Sequence, residues 1–164
     1  MSLDVLTPKG QQSVRDEQAA VALFTGRYPQ YRYCQTDKGL PADVDAILMI
    51  DGCLRQVVET KCRYDCDLPK FMGAYKGQWL VTYDKVVRAM AIAKGLRIGL
   101  MGFLYIVPSK TLLVQRITDD EGKFLISLRI ETTETQATTN GGRALRSNAY
   151  IDMRNATVIK GDFE

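Results

Sequence analysis

The run DAILMIDGCLRQVVETK, residues 45–61, decides how this chain folds. Asp51-Gly52 between two apolar, β-branched stretches is a strong signal for a two-residue hairpin turn. Residues 44–50 and 53–61 then read as neighbouring antiparallel strands. Alternation puts Glu59 and Lys61 on one face of the second strand and Thr60 on the other. Counted outward from the turn, Asp45 stands nearly opposite Glu59, to within one residue of register. Two carboxylates in that position repel each other unless a cation sits between them. A hard divalent ion held by oxygens removes the conflict, and Mg²⁺ is the usual choice. A lysine alongside is then placed to orient or deprotonate an attacking water, or to offset charge on a phosphate. Spacing alone equally allows a plainer reading, with Asp45 opening a strand and Glu59–Lys61 forming a solvated strand end.

Outward from this hairpin, residues 10–26 predict a helix, with Thr7-Pro8 suited to its start and Gly26 to its exit. Residues 30–36 alternate as a strand does, and Asp37-Lys38-Gly39 makes a turn. On the other side, residues 64–77 read as a loop and residues 78–94 as a helix closed by Gly95. Gln78 falls at the start of that helix, and Lys85 lies two turns along the same face. Residues 97–107 predict a buried strand, and residues 111–117 and 123–131 a further hairpin. The order is helix, strand, strand, strand, helix, strand. It argues for an α/β sandwich around a mixed central sheet flanked by helices. The core spans about 10–107 and a β-rich C-terminal extension about 108–164, within one domain over 1–164.

Composition narrows the chemistry. The 164 residues carry 22 basic and 19 acidic side chains, a net charge of +3, too small to argue for nucleic acid by itself. Histidine is absent, which excludes Ser-His-Asp and Cys-His hydrolases and His-based zinc sites. Acid–base work falls to Asp, Glu, Lys, Tyr or Cys. Cys34, Cys53, Cys62 and Cys66 are spaced as reduced thiols rather than as a metal site, although Cys62 and Cys66 are close in sequence. Without an apolar leader or a membrane-length apolar run, the expectation is a soluble, cytoplasmic protein.

Asp45 followed by Glu59-x-Lys61, across a hairpin and after a helix, resembles the PD-(D/E)XK nuclease superfamily, whose members share the element order just read. The resemblance covers residues 10–107. It implies that Asp45 and Glu59 are metal ligands, that the Thr60 backbone carbonyl is a further ligand, and that Lys61 is the catalytic lysine. Glu17 stands where many members place a metal-binding Glu on the first helix; an ordinary solvated helix position is the alternative. Gln78 is similar to the Gln that some members carry on the helix after the lysine strand, with helix capping as the alternative. Pro41-Ala42-Asp43-Val44-Asp45 sets Pro before neither Asp directly. Asp45 is preferred because the apolar strand follows it, which leaves Asp43 as an outer group.

The expected function is therefore a Mg²⁺- or Mn²⁺-dependent DNA nuclease, with DNA as partner and homo-oligomerisation compatible with the family. The compact chain is compatible with a phage origin. Lys85 is a candidate for a phosphate contact, with an ordinary solvated lysine as the alternative. Tyr64, Lys70, Tyr75, Lys76 and Trp79 interleave aromatic and basic groups as a nucleic-acid surface does. Arg143, Arg146 and the glycines before them suit a phosphate backbone, with a plain surface turn as the alternative. A competing class is a non-catalytic nucleic-acid-binding or assembly protein that keeps the nuclease fold. A phosphate enzyme on an unrelated fold lacks a phosphate-cradling glycine loop.

Overall fold

A computed structural model describes residues 7–37, 42–134 and 145–161. The elements run α1 (Pro8–Arg27), β1 (Arg32–Gln35), β2 (Ala46–Ile50), β3 (Cys53–Arg63), α2 (Leu68–Met72), β4 (Gln78–Thr82), α3 (Tyr83–Gly95) and β5 (Gly99–Ile106). After a 3₁₀ turn at Val107–Ser109 come β6 (Thr111–Arg116), β7 (Leu128–Glu134), β8 (Leu145–Asp152) and β9 (Thr157–Lys160). A six-stranded mixed sheet has the order β1-β2-β3-β5-β6-β9, and a smaller sheet the order β4-β8-β7. β3 and β5 pair in parallel, so the chain between them crosses over one face of the sheet. The class is mixed α/β, as the sequence predicts.

The hairpin turn is built as its sequence requires. Asp51 and Gly52 have φ of 49° and 77°, the left-handed pair of a tight turn that matches strand twist. Ile50 pairs with Cys53 and Met49 with Leu54, but Leu48 then pairs with Gln56. Arg55 is the extra residue of a bulge. A one-residue slip exchanges the two faces of a strand. The bulge therefore places Ala46 against Val58 and brings Asp45 level with Glu59 instead of Val58.

β5 is buried at all eight positions, as expected of a central strand covered on both faces. On one face α1 lays Ala20 and Phe24 over Val58, Phe103 and Leu112. Thr7 caps that helix, its hydroxyl accepting from the Gly10 N–H at 3.1 Å. On the other face Val86, Ala89 and Ala93 of α3 join Val57, Leu100, Leu104 and the inner residues of the small sheet. Trp79 locks the sheets together: a Cβ on Gly102 would lie 2.6 Å from its ring, so only glycine admits the indole there.

Several expectations change. Gln78 does not open a helix. Residues 78–82 form β4, whose Gln78 pairs with Asp152 and Thr82 with Asn148; alternate Trp79 and Val81 are buried, so period-two burial overrides the helical pattern. The helix begins at Tyr83, and Lys85 therefore lies in its first turn. The stretch 64–77 contains α2, whose N-terminus Asp67 caps through Lys70 N–H. The hairpin expected from 111–117 and 123–131 is kept only at its turn, where Thr118 bridges Phe124 and the Leu125 N–H donates to the Ile117 carbonyl at 2.9 Å; its arms part, β6 pairing with β5 and β9, and β7 with β8. The extension thus divides between the two sheets. Cys62 and Cys66 fall in separate clusters on opposite faces. The turn expected at 37–39 from residue 38 onward, and the glycine-rich stretch with Arg143, lie outside the described residues. No helix among the described residues is long and apolar enough to cross a membrane.

Candidate active site

Asp45 and Glu59 come together where β2 begins beside the middle of β3. The Thr60 N–H donates to Asp45 Oδ2 at 2.7 Å, and the Asp45 N–H donates to the Val58 carbonyl at 3.1 Å. A strand residue turns its N–H and C=O to the same edge, so the Thr60 carbonyl faces the Asp45 side. Glu59 is 6% exposed. It is flanked in register by Gly102, against which the Trp79 ring presses. That apolar wall has a direct electrostatic effect. Desolvation first, and the neighbouring Asp45 carboxylate second, push the Glu59 carboxyl up to about 8, against the opposing pull of Lys85. Lys85 on α3 forms an ion pair with Glu59 Oε1. Glu59 Oε2 is buried without a hydrogen-bond partner.

Lys61 lies two residues farther along β3 on the same face as Glu59, about 6.6 Å along the strand, and is exposed. Thr60 turns to the opposite face, where its hydroxyl and that of Tyr33 are 3.0 Å apart. Burial raises the Tyr33 hydroxyl well above the usual range, and Asp45, Glu17 and Glu59 add to this through charge. Glu17 on α1 is thus within electrostatic reach of the same strand end, from the α1 side. Tyr33 has no sequence signal of its own; only the pairing of β1 with β2 (Tyr33 opposite Leu48) brings it there.

Other candidates fall elsewhere. Asp43 is half-exposed and 3.6 Å from Arg88 on α3, a surface pair rather than part of the carboxylate cluster. The Gln78 amide donates to the Lys76 carbonyl at 3.3 Å, and Lys76 sits exposed in a left-handed turn with φ of 54°. Tyr75 lies under the Arg63 guanidinium, 4.8 Å away. Lys70 lies over the same ring at 5.6 Å. Trp79 is core, and Tyr64 is bonded to Asp16 on the α1 side. The expected aromatic–basic surface is therefore divided between two faces and the interior. Arg146 is exposed on β8, in register with Thr133.

Among the described residues, no three acidic or thiol side chains converge on one point as a self-sufficient metal cage. Two adjacent carboxylates, one with an orphaned oxygen, and a nearby carbonyl do fit Mg²⁺, which keeps several waters and takes one or two carboxylates. Family models, curated proteins and solved structures gave no match to this chain.

Proposed function

We propose that this protein is a divalent-cation-dependent DNA nuclease of the PD-(D/E)XK kind. The observation that carries the reading is the contact of Asp45 with Glu59, a buried carboxylate held against a like charge with one oxygen unsatisfied. Buried polar groups are almost always paired, and a carboxyl raised by desolvation and a neighbouring charge is a functional-site candidate. The strand order β1-β2-β3-β5, with β3 and β5 parallel, supports the same reading.

Asp45, Glu59 and the Thr60 carbonyl would hold the cation. A bound cation neutralises the two carboxylates and supplies Lewis acidity toward water and a phosphate oxygen. The chain's own groups do the rest. The Thr60 N–H fixes the Asp45 carboxylate, the Trp79 wall excludes water from behind Glu59, and Lys61 presents an ammonium at the open side. Lys61 thereby places positive charge beside a phosphodiester and positions the attacking water.

The test is a panel of labelled linear, circular, branched and single-stranded DNA with Mg²⁺ or Mn²⁺. The wild type should cleave at least one substrate. Lys61→Ala should lower the rate by about 10²–10⁴-fold with unchanged circular dichroism and melting. Absence of cation-dependent cleavage from the wild type on every substrate overturns the enzyme reading. The second reading, a non-catalytic nucleic-acid-binding protein on the same fold, draws on the Lys85 ion pair, which already offsets the charge of Glu59. DNA binding that needs no cation and ignores Lys61→Ala would favour it.

A further inference from the structure

Lys85 occupies an unusual place. It sits in the first turn of α3, where the helix dipole disfavours a cation, yet its ammonium reaches across to Glu59 Oε1. The two ends of this pair differ sharply in environment. The Glu59 side chain is 8% exposed and that of Lys85 45%. The lysine thus enters from the solvent side on a flexible four-carbon stem and meets Oε1, while Oε2 of the same carboxylate stays without a hydrogen-bond partner. β4 leads directly into that turn, and the register Thr82–Asn148 places β8 beside it. The start of α3 is therefore fixed by backbone pairing, and the lysine side chain reaches Glu59 from it.

We propose that Lys85 is a resident counter-cation that changes partners: it holds Glu59 in the cation-free protein and turns to a phosphate oxygen of DNA once a divalent cation takes the carboxylates. This rests on the nuclease reading and adds a positioning residue to it. A cation on Oε2 and an ammonium on Oε1 would draw on one buried carboxylate charge and repel each other at short range, so cation entry weakens the hold of Glu59 on Lys85. A phosphodiester arriving at Asp45 and Glu59 then supplies a new anion within reach of the same side chain. Lys85 and Lys61 would bracket the phosphate from α3 and β3 respectively, one holding it and the other serving the reacting water.

The test uses the full chain with Lys85→Met and Lys85→Arg, Ca²⁺ as a cation that supports binding, and duplex DNA at several salt concentrations at pH 8.5. Lys85→Met should bind Ca²⁺ by calorimetry at least as tightly as the wild type, because the lysine competes with the ion and does not ligate it. In Ca²⁺, its DNA affinity should fall and the slope of log affinity against log salt should drop by about 0.9, the signature of one lost phosphate contact. Lys85→Arg should restore the slope. A brace that merely fastens α3 to β3 would shift the melting temperature and leave the slope unchanged, and that result overturns the proposal. So does a tenfold loss of Ca²⁺ affinity in Lys85→Met. If the wild type binds Ca²⁺ and the slope does not move, this inference fails alone; if the wild type binds no cation, the nuclease reading fails with it.

Discussion

Asp16 and Glu59 are both buried carboxylates, 9% and 6% exposed, on opposite sides of the same sheet, and the fold treats them in opposite ways. Asp16 continues the apolar stripe of α1 through Ala20 and Phe24. It receives neutral donors on both oxygens: the Gln12 amide at 3.1 Å to each, and the Tyr64 hydroxyl at 2.7 Å on Oδ2. Glu59 receives a second carboxylate, a lysine that comes in from solvent, and nothing on Oε2. A chain able to satisfy one buried carboxylate with neutral donors leaves the other in conflict. Conflicts of this kind are tolerated where something outside the chain resolves them. Asp16 fastens α1 to the loop after β3, and the open oxygen of Glu59 is what the proposed cation would satisfy.

The comparison breaks most visibly in its pH dependence. Glu59 titrates at about 8 against an ordinary value of 4.5, so between those values the folded state holds a proton that the unfolded state has released. Its contribution to stability is complete below 4.5 and is lost as pH rises through 8. Denaturant melts in chelator should show wild-type stability falling across this window relative to Glu59→Gln, on the order of 3–5 kcal/mol. Parallel curves for the two proteins would mean that Glu59 is not held in conflict.

The satisfied side should respond through a different quantity. Tyr64→Phe removes one donor from Asp16 and should cost about 1–2 kcal/mol, while leaving cation affinity unchanged. A loss of cation binding would show that the Asp16 contact also shapes the candidate site. Smallest of all, Asp43→Asn should change stability by about 0.5 kcal/mol or less, since its Arg88 partner is exposed. A loss of cation affinity there would move Asp43 into the ligand set.

Local signals made the hairpin legible. Asp51-Gly52 set the turn, and alternation set Glu59 and Lys61 on one face. Asp45 could be placed only to within one residue, because the bulge at Arg55 has no sequence signature here, and that bulge decides which face Asp45 joins. The regions that misled lacked local information. Residues 78–82 are good strand formers directly joined to a helix, and only their pairing with β8, about seventy residues later in the chain, separates the two. β6 pairs with β9 only after β7 and β8 have gone to the small sheet, a non-local contact that turn residues cannot reveal. Lys85 is legible as a basic residue near this helix, but its pairing with Glu59 depends on the packing of α3, which begins at Tyr83, against the sheet.

Calorimetric titration of Mn²⁺ into the wild type, Asp45→Asn and Glu59→Gln at pH 7.5 tests the central claim most directly. The account predicts a site in the wild type that disappears or weakens at least tenfold in each variant, while all three retain the same circular dichroism. A wild type that takes up no Mn²⁺, or a site that survives both substitutions unchanged, would contradict it.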